Sequence, residues 1–355
     1  MVDNLTDLRI CLEKPLQQEE NVMQYLSNSA NSRQHFEKLS AAFLSQKIWP
    51  SDATIRISFV SSSNNIKNVD WTPLALLEKM KNQNGNKIKI DPLEYQIRQL
   101  SPIEAVKKVV RDRIQPIVGL KFIFVPSGGE VRIGFDPHGG CWSLVGTDCV
   151  KSNERTTMNF GWLDCGTIVH EFGHVLGLIH EHQNPDGNEI DWNDAKVYQW
   201  AQQTQHWDKS TTYHNIIERY KNSQLNGSNF DKNSIMLYYF PSSLTVNHKG
   251  TNSNHILSRE DVKYISKIYP GGYLTPDEFY KKAYGESITG PPDKRIKIRW
   301  DIVLYIAIGI IGIFIIYYII RHFKNKPKRS VLSNLKETYG KKSYAPTITP
   351  PRRFT

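Results

Sequence analysis

Residues Val169 to His182 read V-H-E-F-G-H-V-L-G-L-I-H-E-H. His170 and His174 are four apart, so on a helix both imidazoles leave from one face and can close on a single cation. Glu171 follows the first of them, about 100° further round the helix, where a carboxylate can reach a water on that cation without being a ligand. Gly177 stands where such a helix would stop, and without a Cβ it can take the left-handed conformation that turns the chain sharply. That turn can return His180 as a third ligand. Three imidazoles and one open position describe a catalytic zinc site, because structural zinc sites are closed by four protein ligands. A bare H-E-x-x-H also recurs in helices whose histidines merely pack. The glycine and the third histidine at fixed offsets are what that plainer reading leaves unexplained.

The stretch His170-Glu171-x-x-His174-x-x-Gly177-x-x-His180 resembles the signature of the metzincin zinc proteases, and Glu181 after the third histidine resembles the astacin branch. Ser234-Ile235-Met236-Leu237-Tyr238 is similar to the astacin Met-turn, S-x-M-H-Y, with Leu237 where the family usually has histidine. Arg-x-Asp-Arg-Asp, common after the third histidine in animal astacins, is replaced by Gln183-Asn184-Pro185-Asp186-Gly187, so the chain looks more like divergent microbial or viral members. The resemblance covers Trp49 to Pro270. It implies an α+β zincin domain of metzincin type, with a twisted mixed sheet, a long packing helix, an active-site helix and a C-terminal helix. It also implies one catalytic Zn²⁺ on His170, His174 and His180, and hydrolysis of protein or peptide substrates with Glu171 as general base. Met236 would support the site from below, and Tyr238 would approach the metal and assist the oxyanion.

The elements that must position these residues are legible in outline. Ile55 to Val60 begins with apolar–polar alternation and predicts the first strand of the domain. Ser101-Pro102-Ile103-Glu104 has the form of a capping box, and Ile103, Val106, Val109, Val110, Ile114 and Ile117 follow at helical spacing, which predicts the long packing helix. Phe122–Val125 and Val131–Phe135 read as strands split by Pro126-Ser127-Gly128-Gly129. Thr156 to Gly161 is a further short strand, and the resemblance implies that it is the sheet edge where an extended peptide could add as one more strand. Leu257 to Ile265 predicts a closing helix ended by Tyr269-Pro270-Gly271-Gly272.

Composition bounds the rest. The net charge of +10 suggests nucleic acid, but from Arg321 onward ten Lys/Arg face one acid, Glu337, so the tail holds about nine of those charges. No basic stripe interleaved with aromatics remains elsewhere, and nucleic-acid binding is not expected. Four cysteines are too few for a disulfide scaffold, although two of Cys141, Cys149 and Cys165 could bridge in an oxidising compartment. Ile302 to Ile320 is nineteen residues without a charge, long enough for a hydrocarbon core of about 30 Å, with Tyr305, Tyr317 and Tyr318 near its ends. The organisation expected is an N-terminal extension (1–48) without an inhibitory motif, a catalytic domain (49–272), a linker (273–300), a transmembrane helix (301–320) and a basic, disordered tail (321–355). The tail's charge favours a cytoplasmic tail and an external protease, whereas the lack of a signal peptide favours a catalytic domain facing the cytosol. The second is the expectation adopted. Against the enzyme stands another class of reading: a catalytically silent, membrane-tethered binding protein that retains the zinc fold.

Overall fold

The structure is a computed structural model, and it describes residues 11–13, 43–44, 46–60, 66–81, 85, 87–185, 190–220, 225–226 and 229–286. All of these fall within one compact unit, Met1–Pro291. The transmembrane helix expected at 301–320 and the basic tail lie outside the described residues. Among the described residues no helix is long and apolar enough to cross a membrane.

A six-stranded mixed sheet forms the floor. Its strands in chain order are β1 (Leu12–Glu13), β2 (Thr54–Phe59), β3 (Lys121–Phe124), β4 (Val131–Gly134), β5 (Trp142–Ser143) and β6 (Met158–Asn159). Their spatial order is β1-β5-β6-β4-β2-β3. The β5–β6 pair is antiparallel and every other pair is parallel. In β2 the alternation drives Ile55 and Ile57 fully into the core while Thr54 and Arg56 face water. The mixed sheet expected of a zincin-like α+β fold is present.

Helix α1 (Pro102–Val109) begins at Ser101, whose side chain accepts from the Glu104 amide. Only half of the predicted capping box forms, since Glu104 pairs with Lys107 instead. The helical path then widens into a π-type turn over Val110–Ile114 and tightens over Gln115–Ile117, where Pro116 lacks an N–H to continue it. Val106, Val109, Val110, Ile114 and Ile117 are all buried, so the apolar spacing read from the chain does mark the packing face.

Helix α2 (Cys165–Val175) carries the first two histidines and is buried along its length. Asp164 caps it by accepting from the Thr167 amide. At the other end the Trp49 indole donates to Val175 O at 2.6 Å and the Tyr269 hydroxyl to Leu176 O at 2.6 Å. A buried helix terminus leaves carbonyls without intrahelical partners, and these two aromatic donors satisfy them. Helix α3 (Asp194–Thr204) follows, then α4 (Arg259–Ile268), which has a complete capping box between Ser258 and Asp261.

Three expectations are corrected here. Residues 273–300 are not simply a linker: α5 (Pro276–Tyr284) forms from a Thr275–Glu278 capping box, ends at Gly285 with φ of 72°, and buries Phe279, Tyr280 and Ala283. The strand within Thr156–Gly161 is not a sheet edge, because β6 lies between β4 and β5. The short Trp142–Ser143 segment pairs with its outer side, too brief to show an alternation. Nor is the N-terminal extension free of the domain, since β1 docks on β5.

Gly119 joins the end of this layer to β3, donating to Tyr269 O at 2.9 Å. A Cβ there would sit 2.0 Å from Pro270 O, a backbone atom that cannot swing aside. Gly119→Ala should therefore destabilise the domain by about 1–3 kcal/mol, read as a lower urea midpoint with an unchanged slope.

Candidate metal centre

His170 and His174 stand four positions apart on α2, and the chain then reverses at Gly177, whose φ is 97°. The reversal is closed by the Gly177 amide donating to His174 O at 2.8 Å and the Leu178 amide to Gly173 O at 3.0 Å. His180 is thereby returned to the helix. One ring nitrogen from each of His170, His174 and His180 lies within 4.8 Å of the others, as the spacing predicts.

The far sides of two of these rings are held. His170 Nδ1 donates to Ile235 O and His174 Nδ1 to Leu178 O, both at 2.9 Å. With the proton placed there, Nε2 of each ring presents its lone pair inward. Burial holds the imidazoles neutral: His170 is pushed down to about 4, His174 to about 3, and His180 well below its ordinary value. Neutral nitrogens facing one another, His174 and His180 at 3.0 Å, and a buried His170 Nε2 with no hydrogen-bond partner are the donor set a borderline-soft divalent cation satisfies. The residues fit zinc.

Glu171 is fully buried beside this cluster, and desolvation raises its carboxyl to about 8. Met236 lies beneath α2. A Cβ at Gly173 would stand 2.5 Å from the Met236 sulfur, so the glycine is what lets the thioether reach the helix. The segment around Met236 is tied down by one carboxylate: Asp261 of α4 accepts from the Ser234 hydroxyl and from the Ile235 amide, each at 2.8 Å. Glu181, also buried, accepts from the Asp231 amide at 2.8 Å and the Asn184 side chain at 3.0 Å, which fixes the chain after the third histidine. The Tyr238 hydroxyl lies against His180 Nε2 and donates to Cys11 O at 2.5 Å.

Cys11 is the residue that sequence reasoning missed. It belongs to the N-terminal extension, yet its sulfur lies within 4.8 Å of ligand atoms of His170 and Glu171. Nothing in its immediate sequence marks it, because the partners lie far along the chain. Asp261 and Glu181 were readable only as a helix-cap acid and a motif residue, and Trp49 only as the start of the resemblance. His182 Nε2 donates to Asn215 O, and its ring stacks on His180 with centroids 5.4 Å apart. His206, His214, His248 and His255 join no metal-capable group among the described residues.

Residues 120–268 match the sequence model of the astacin family of peptidases. The stretch matched holds the three histidines and Glu171. The chain is 31% identical over 98 residues to astacin-like metalloprotease toxin 1 of Loxosceles intermedia, covering 28% of this chain and 33% of that protein. It is 29% identical over 118 residues to zinc metalloproteinase nas-13 of Caenorhabditis elegans, covering 32% and 23%. It spans a third or less of the length of these two relatives. The solved structure of myroilysin is 28% identical, with a TM-score of 0.49 over 65% of this chain and 98% of that one. Met236 and Tyr238 also fall within the matched residues, whereas Cys11 and Trp49 reach the cluster from outside them.

Beside this cluster His182 offers a titration with a stated sign. Burial holds it at about 3, against about 6.5 in an open chain. The folded state thus binds that proton more weakly, so the stability His182 contributes is present above about pH 6.5 and is lost as pH falls towards 3. On chelator-treated protein the stability advantage of the parent over His182→Gln should shrink between pH 6.5 and 4. A gap in melting temperature that is constant with pH would remove this account.

Proposed function

We propose that the chain is a zinc-dependent endopeptidase. The observation that carries the reading is the convergence of three buried, neutral imidazoles, one of them with an unpartnered inward nitrogen, beside a buried carboxylate that is not needed as a ligand. Zinc held by His170, His174 and His180 would supply a Lewis acid for the scissile carbonyl and would make the attacking water acidic. Glu171 takes the proton of the attacking water and returns it to the departing amine nitrogen. Its position in a dry pocket suits both halves of that task, since burial moves the carboxyl towards neutrality. Tyr238 donates a hydrogen bond to the oxygen on which negative charge develops. To do so its hydroxyl must first leave Cys11 O. Met236 and Asp261 hold the ring of His170 in place through Ile235 O and take no proton.

The arrangement described is a closed one. Strand β1 pairs with β5 along the edge that an extended substrate would use, and Cys11 fills the space beside His170 and Glu171. We read it as latent, with the Cys11 sulfur lying against His170 and Glu171. This replaces the silent-scaffold alternative with a specific cause for low activity. Residues 302–320 we read as a membrane anchor, on the strength of their nineteen uncharged residues and the charges that flank them.

The test uses the full zinc-loaded chain in reducing buffer with denatured casein. The parent should carry one zinc per chain and cleave slowly, and Cys11→Ala should cleave faster. In the Cys11→Ala background, Glu171→Gln should keep its zinc and lose about 10⁴-fold in rate. Tyr238→Phe in that background should lose less, about a hundredfold. Cleavage by the Glu171 variant at the rate of its parent would overturn the general-base assignment. Zinc bound without any cleavage in Cys11→Ala would return the chain to the silent class.

A further inference from the structure

Cys11 has a second neighbour that the reaction does not use. Strands β1 and β5 run parallel with Leu12 opposite Trp142 and Glu13 opposite Ser143. One residue back along both strands, Cys11 faces Cys141. Neighbouring strands lie about 4.8 Å apart, inside the Cα separation of about 4.4–6.8 Å that a disulfide spans without moving the backbone. Cys141 is near enough to Cys11 to raise its thiol, while its own thiol donates to Trp162 O at 3.4 Å. Both are free and buried. The other two cysteines are engaged elsewhere: the Cys149 thiol donates to Leu144 O at 3.6 Å, and Cys165 lies at the start of α2 among Asp91, Glu94 and Arg113. Strand β1 itself is two residues long, and a ladder that short gives little purchase on the sheet.

We propose that Cys11 and Cys141 form a reversible disulfide that locks the N-terminal strand across the cleft. This rests on the reading of the closed cleft as latent, and it adds a redox condition to its opening. Because both thiols are shielded while β1 is docked, exchange begins when the strand lifts. The Cys11 thiolate attacks a small disulfide such as oxidised glutathione, forming a mixed disulfide and releasing one glutathione thiolate. When β1 docks again, the Cys141 thiolate attacks the Cys11 sulfur and the second glutathione leaves. Two protein thiols have given up two hydrogens, and one glutathione disulfide has become two glutathiones. The bond then holds Cys11 to β5 even if the chain between β1 and the domain is cut, so cleavage alone does not empty the cleft. A reductant reverses the exchange and frees the strand.

The experiment equilibrates the full zinc-loaded chain across glutathione buffers from fully reduced to fully oxidised, blocks remaining thiols by alkylation in acid, and maps the peptides by mass spectrometry. The expected result is a Cys11–Cys141 linked peptide, two hydrogens lighter than the free pair, that rises with the oxidised fraction while Cys149 and Cys165 stay alkylated. A second arm places a cleavage site for a specific protease between residues 20 and 40. After oxidation and cutting, the N-terminal piece should stay attached on a non-reducing denaturing gel and casein cleavage should stay low. Adding a phosphine reductant should release the piece and raise cleavage. Cys141→Ala, or Cys141→Ser if the first folds poorly, should release it on cutting alone. Cys11 remaining alkylatable in every buffer, or found paired with Cys149 or Cys165, overturns the proposal, as does release of the parent's piece without reductant. The mapping repeated on Glu171→Gln needs no catalysis, so failure of the peptidase reading and failure of the disulfide are read separately.

Discussion

Three imidazoles can share one dry space only if their rings are kept from turning. Left to themselves, buried neutral histidines would turn to find partners for their inward nitrogens, and the cluster would scatter. Here the far nitrogens of His170 and His174 are bonded to backbone carbonyls that cannot turn away, Ile235 O from the Met236 segment and Leu178 O from the turn at Gly177. The remainder of the domain is arranged to keep those two carbonyls where they are.

Two buried carboxylates extend the constraint outward. Asp261 closes the capping box of α4 and binds Ser234 and Ile235 with the same two oxygens, so the first turn of that helix and the floor beneath His170 are one hydrogen-bonded unit. Burial raises Asp261 to about 7, and that cost is accepted because each oxygen meets a donor. Glu181 plays the corresponding part on the other side, tying the chain after His180 to Asp231. Asp231 in turn accepts from the Ser258 hydroxyl at 2.6 Å, which returns the path to α4. The helix that ends the family match is therefore joined to the metal centre by direct bonds.

The sheet edge answers a different pressure. β5 is two residues long, and uncovered it would expose ladder groups beside a cleft lined by titratable side chains. Docking β1 covers those groups and places a thiol beside His170 and Glu171 and a backbone carbonyl against Tyr238. The same edge chemistry that would bind an extended substrate thus accepts a segment of the chain itself, and it does so in parallel, with Cys11 O taking the Tyr238 hydroxyl.

Local features of the chain determined the local parts of this molecule. Histidines four apart on a helix must share a face, Gly177 can take a positive φ where other residues rarely do, and the apolar spacing from Val106 to Ile117 marks a buried face whatever helical form the backbone takes. A Thr275–Glu278 box after a proline-punctuated stop is equally local, although the Gly and Pro residues on either side of it suggest a linker. Contacts between distant segments could not be read this way. Trp49 and Tyr269 finishing the end of α2, Asp261 beneath Ile235, β6 lying inside the sheet, and Cys11 opposite Cys141 each depend on which segments meet. Folding decides such meetings through the joint burial of many weakly patterned residues, and no spacing within one segment encodes the partner it will find.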